Sequence, residues 1–138
     1  MGVFESSGRL KEVLGGFLSF LLEQPEMGGK LLASKMILKF NYSDPDLAIT
    51  VDLTGEKGVL TFNDVEKKPE VEMTMKADLA HRFWFGRVNL VISLARREMV
   101  AKGPITKILK LLPVIKPAYA LYPRYLKERG FESYLEVP

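Results

Sequence analysis

Between Val71 and Pro104 the chain changes its hydrophobic period three times. Val71, Met73 and Met75 alternate with Glu72, Thr74 and Lys76, the period-two pattern of a strand with one buried face. Asp78 then stands where its carboxylate can cap a helix over Leu79 to Phe85, and Gly86 suits a left-handed stop. Asn89 is the N-cap of a second helix with the stripe Leu90, Val91 and Leu94. Arg96 and Arg97 fall in its last turn, where cations complement the dipole. Met99 to Lys102 reads as a short strand closed by Gly103 and Pro104.

The flanks fit around this stretch. Leu10, Val13, Leu14, Phe17, Phe20 and Leu21 recur at helical spacing, predicting an amphipathic helix over Gly8 to Gln24 that Pro25 ends. Gly15 and Gly16 in its middle predict a close crossing over the sheet or a bend. Gly28-Gly29-Lys30 lacks the earlier glycine and the following Ser or Thr of a phosphate loop, and reads as a plain loop. Lys35 to Tyr42, Leu47 to Leu53 and Gly58 to Asn63 are strands separated by short turns, hence a meander. Met36, Leu38, Phe40 and Tyr42 mark one face of the first, and Leu47, Ile49, Val51 and Leu53 one face of the second. Beyond Gly103, Pro113, Pro117 and Pro123 predict short helical pieces, the last running from Pro123 to Arg129 before Gly130. The sum is an α+β fold: a five-stranded, mostly antiparallel sheet with helices on one face.

Composition narrows the function more than the fold. At 138 residues the chain is expected to be a single domain, and no stretch approaches the roughly 20 apolar residues of a membrane span. Without cysteine there is neither a thiolate nucleophile nor a sulfur ligand, which suits a reducing, cytoplasmic setting. His81 is the single histidine, so a zinc site lacks ligands, and its place beside Arg82 reads as a surface position; neither metal nor cofactor is expected. Up to Lys76 nine Lys or Arg face twelve Asp or Glu, and afterwards eleven face five, so net −3 is followed by net +6. A basic second half attracts anionic partners: a lipid head group, an anionic membrane touched in passing, or nucleic acid. No recognisable motif supports specific nucleic-acid binding.

The order of strand, capped helix, glycine, helix, strand and Gly-Pro resembles the sterol carrier protein type 2 domain family. The resemblance is carried by Asp78, by the aromatic run Phe83, Trp84 and Phe85 before Gly86, and by Gly103 opening an amphipathic helix. It extends loosely over residues 8–116, leaving 117–138 as a C-terminal helical extension. Where the family often has glycine at the turn into the last strand, this chain has Arg96 and Arg97. Members of that family enclose a lipid between sheet and helices. The resemblance therefore implies non-catalytic binding, with or without transfer, of a fatty acid, a fatty acyl-coenzyme A or a sterol-like molecule. The alternative is an accessory domain or subunit of an enzyme acting on lipids or acyl-coenzyme A.

A surplus of apolar residues points the same way. Three successive aromatics lie about 100° apart on a helix and cannot all face one core. Ile105, Ile108, Leu109, Leu111, Leu112, Val114 and Ile115 cover more of their helix than docking on a sheet requires. Such surface serves a cavity or a homodimer interface. The cavity reading assigns Met73, Met75, Phe83, Trp84, Phe85, Val91, Leu94, Ile105, Ile108, Leu109 and Leu112 to its lining. Arg96, Arg97, Lys107, Lys110 and Lys116 are the candidates for a head group or a membrane surface.

Overall fold

A computed structural model describes residues 2–136. Alternation of apolar and polar residues draws five strands into one sheet: β1 (Ile37–Ser43), β2 (Leu47–Asp52), β3 (Val59–Phe62), β4 (Val71–Lys76) and β5 (Met99–Lys102), in the order β3-β2-β1-β4-β5. β1 pairs antiparallel with β2 and parallel with β4, while β2 with β3 and β4 with β5 are antiparallel. The architecture is the expected α+β one, with a mixed sheet. Ile49, Val51, Val71, Met73 and Met75 are buried on the inner face, as the period of two requires.

The first helix is continuous in three segments: α1 (Ser7–Leu10), a π-helical turn over Lys11–Gly15, and α2 (Gly16–Glu23). Its two glycines explain the turn. A Cβ on Gly15 would lie 2.9 Å from the Phe62 ring, and one on Gly16 would lie 2.3 Å from the Tyr125 hydroxyl. The helix crosses β3 and the C-terminal tail too closely for side chains there, so the predicted close crossing is present.

Four local expectations are corrected. Gly28, Gly29 and Lys30 belong to a helix, α3 (Pro25–Ala33), rather than a loop. Pro25 occupies its first turn, where a missing N–H costs nothing, and a Cβ on Gly28 would meet the Leu22 carbonyl at 2.3 Å. Glycine there permits helix contact and does not mark a loop. Next, α4 (Ala77–Trp84) starts at Ala77 with Lys76 as its N-cap, and Asp78 Oδ1 accepts the Val3 N–H at 2.8 Å instead of capping. Gly86, at φ +76°, ends this helix as predicted, and Asn89 caps α5 (Leu90–Ala95) by accepting the Ile92 N–H. Third, Pro113 and Pro123 lie inside α6 (Ile105–Ile115) and α7 (Ala118–Glu128). In α7 the buried stripe Ala118, Tyr122, Tyr125 and Leu126 keeps helical spacing across Pro123, so packing outweighs one lost hydrogen bond.

The fourth correction concerns His81, which is fully buried. Its Nε2–H donates to the Tyr134 carbonyl at 2.9 Å, which leaves Nδ1 to accept the Tyr122 hydroxyl at 2.8 Å. Phe4 and Phe85 meet the ring edge-on. The partners arrive from both ends of the chain, which local sequence around His81 could not reveal. Residues 117–136 thus fasten onto α4, and residues 137 and 138 lie outside the described residues.

Burial holds the His81 pKa below its ordinary 6.5, so the ring is neutral when folded. The unfolded chain then binds the extra proton first, and stability present above about pH 6.5 is lost as the pH falls below it. Asp52 titrates lower, being held at about 2 chiefly by the Thr54 hydroxyl and then by Lys67. The unfolding free energy is expected to fall between pH 7 and 5.5 with a slope of at most about 1.4 kcal/mol per pH unit, and the melting temperature with it. Differential scanning calorimetry should show that slope flattened in His81→Gln; an unchanged slope would refute the assignment.

Candidate functional site

The inner face of the sheet is not filled by the helices above it. Leu38, Phe40 and Tyr42, alternate residues of β1, floor an apolar cavity that follows the strand for about 13 Å at 3.3 Å per residue. Val51 and Leu53 flank them on one side, and Met73, Met75 and Met99 on the other. The roof comes from helices: Leu18, Leu21 and Leu22 at α2, Leu31 of α3, Ala80, Phe83 and Trp84 of α4, Leu90 of α5, and Ile108, Leu111, Leu112 and Ile115 of α6. Phe40 shows the void directly. It lies between the buried Leu38 and Tyr42 yet is only half-buried, because its ring faces open space.

The centres of water-sized groups have about 110 Å³ to move in, room on the order of eight such groups at 10–15 Å³ each. At about 24 cal/mol per Å³ an unfilled apolar void of this size costs roughly 2–3 kcal/mol. No charged side chain lines it among the described residues; Tyr42 and Trp84 are the lining residues whose side chains carry an O–H or N–H. A wider depression formed by Phe83, Val88, Asn89, Leu90, Val91, Leu112 and Tyr119 shares Phe83, Leu90 and Leu112 with the cavity. These three side chains form the partition between cavity and outside.

Six of the residues anticipated from sequence line the cavity: Met73, Met75, Phe83, Trp84, Ile108 and Leu112. Five do not. Phe85 turns toward His81 and Tyr122, with ring centroids 4.9 and 5.0 Å away. Val91 is exposed in the outer depression, Ile105 is exposed, and Leu94 and Leu109 are half-buried beside the core. A helix directs only part of its circumference inward, and α6 turns Leu111 and Ile115 to the cavity, with Ile108 and Leu112, in place of Ile105 and Leu109. The β1 and β2 lining was visible in sequence as a strand face, but nothing local separates a face that floors a void from one that is packed. Arg96, Arg97, Lys107, Lys110 and Lys116 are all exposed and outside the cavity, and Lys107 pairs with Glu70. Arg97 takes φ +59°, the left-handed conformation that glycine adopts without strain, at a cost of about 1–2 kcal/mol.

A five-stranded mixed sheet covered on one face by helices around an apolar cavity defines a class of α+β domain. Among solved structures its architecture is that of the sterol carrier protein type 2 fold. The chain matches a sterol carrier protein 2 domain of Helicoverpa armigera with a TM-score of 0.64 at 17% identity, over 79% of this chain and 89% of that one. It matches sterol carrier protein 2 of Yarrowia lipolytica in its apo form at TM-score 0.61 and 15% identity, over 82% and 91%. Sterol carrier protein 2 like 2 of Aedes aegypti follows at TM-score 0.57 and 15% identity, over 77% and 95%. Comparison with family models and with curated protein sequences gives no match. The likeness is one of fold.

A bulky residue directed into the void tests whether it is real. Leu112→Trp is expected to melt at or above the ligand-free parent, because the ring fills space, whereas overpacking a filled core costs about 1–3 kcal/mol. Calorimetry of Leu112→Trp should decide it, and a loss of several degrees would mean that the space is occupied by protein.

Proposed function

We infer that this chain binds and transfers a hydrophobic lipid in the cavity without covalent chemistry. The observation that carries this reading is a void walled by twenty residues, none of them charged, lying between sheet and helices. An acyl chain entering it gains about 0.8 kcal/mol per buried methylene and removes the cost of the empty space. A fatty acid, a fatty acyl-coenzyme A and a sterol-like molecule all have a suitable apolar part. Among solved proteins of the same fold, those of Helicoverpa armigera, Yarrowia lipolytica and Aedes aegypti are described as sterol carrier proteins, which supports carriage as the kind of activity. The cysteine-free composition agrees with a cytoplasmic setting, and no helix among the described residues is long and apolar enough to cross a membrane.

Native mass spectrometry of the purified protein, before and after solvent extraction, is expected to show a lipid mass removed by extraction. Trp84, whose indole is in the wall, should then shift its emission when a long-chain fatty acid or its coenzyme A ester is added to the extracted protein. No adduct together with a flat response to both would end the lipid-carrier reading.

Arg96, Arg97, Lys110 and Lys116 are exposed, as are the apolar Val91 and Ile92, a combination suited to brief contact with an anionic membrane. Charges of this kind act over about 8–10 Å at physiological salt and govern encounter more than holding. Lys110→Glu with Lys116→Glu is expected to slow transfer to phosphatidylserine vesicles about threefold to tenfold, an effect that salt reduces. Equilibrium lipid affinity should stay unchanged; an equal loss in both would put these lysines inside the binding site.

A further inference from the structure

Tyr42 is the residue that an apolar cavity leaves unexplained. It lies on the inner face near the end of β1, in register with Leu47 of β2 and Met75 of β4, and is 6% exposed. Its ring stacks on Phe40 at 6.3 Å. Of the other buried tyrosines, Tyr122 donates to His81 Nδ1 and Tyr134 donates to Glu5 Oε1 at 2.5 Å, while Tyr125, whose hydroxyl lies against Gly16, is not part of the cavity wall. The Tyr42 hydroxyl has no such partner among the described residues, and burial alone acts on it, raising its pKa so that the phenol stays protonated.

Thr50 Oγ1 is the buried side-chain oxygen that is both unpartnered and fully shut in. The Tyr42 oxygen is unpartnered but not shut in, and the space that its residue lines is the cavity. Phenylalanine would supply the same ring without a buried, unmatched donor. Water is a poor match for that donor, since a buried water needs about two to four polar partners and the wall offers only the Trp84 N–H besides.

Resting on the lipid-binding reading, we propose that Tyr42 is the polar anchor of the cavity, donating its O–H to an uncharged oxygen set within an otherwise apolar ligand. The matching groups are a ketone, an ester carbonyl or a hydroxyl. An ionised head has no counterpart inside, because every candidate cation is on the outer surface, so a carboxylate or phosphate stays at the mouth or in solvent. The anchor therefore selects for the depth and position of a neutral oxygen along the ligand.

The test pairs one substitution with two ligands of equal length, 2-undecanone and undecane, each displacing Nile red from the solvent-extracted protein. Tyr42→Phe is expected to weaken 2-undecanone about fivefold to tenfold while undecane changes less than about twofold. Without ligand the variant should melt at or above the parent, since it loses an unmatched polar group. Equal effects on both ligands, or no effect on either, would overturn the anchor while leaving the cavity a lipid site. If the parent binds neither compound, the anchor and the lipid-carrier reading fall together.

Discussion

The parallel pairing of β1 with β4 is the constraint on which the cavity depends. β1, β2 and β3 form a meander, after which the chain must return across two strands to run beside β1 in its own direction. Residues 63–70 make that return, and their side matters. Lys67 Nζ pairs with Asp52 at 2.9 Å, and Thr50, two residues from Asp52 on the same side of β2, is 1% exposed. The crossover therefore lies on the outer face. Had it crossed the inner face, it would have filled the space above Phe40.

With that face free, covering it falls to helices, and their attachments are uneven. α2, α4 and α7 are held by aromatic contacts: Phe17 meets Trp84, Tyr122 and Tyr125 with ring centroids 4.6 to 5.3 Å apart. Aromatic pairs of this kind add about 0.5–1.5 kcal/mol each beyond their buried area. The His81 contacts close the same cluster from the C-terminal side. That aromatic cluster is packed in the ordinary way, and the unfilled volume lies beside it, between the sheet and the inner sides of α2 to α6.

This division sets what could be seen in the sequence. Strand faces follow a period of two, so Leu38, Phe40, Tyr42, Val71, Met73 and Met75 were legible as one surface, and all but Val71 line the cavity. Helix ends were legible where a residue acts locally, as Gly86 does through its own φ and Asn89 through a side chain that reaches a backbone N–H three residues on. They were not legible where a side chain has a distant partner: Asp78 looks like a cap but is taken by Val3, 75 residues away in sequence. His81 reads as a surface residue for the same reason, since Phe4, Tyr122 and Tyr134 bury it from both ends of the chain. The void itself has no local signature, because it is a distance between elements.

α6 is where the inside and the outside of the molecule are joined. Ile108 is its one buried residue, although Leu111, Leu112 and Ile115 also line the cavity. Moving α6 away from the sheet therefore exposes less apolar surface than moving α2 or α4, and local opening follows the least buried element. Pro113 removes one hydrogen bond from its C-terminal half, and Gly103, at φ +103°, precedes its first turn. A Cβ at Gly103 would lie 2.2 Å from the Glu70 carbonyl, so the segment that leads into α6 is pinned to the start of β4 while the helix beyond it is lightly held. Lys107 and Lys110 project from the outer side of that helix. A force applied there by an anionic surface acts on the same element whose Ile108 and Leu112 close the cavity. On the proposed function, attraction from outside and access to the inside would fall on two faces of one helix, with no need for the charged groups to enter the apolar space.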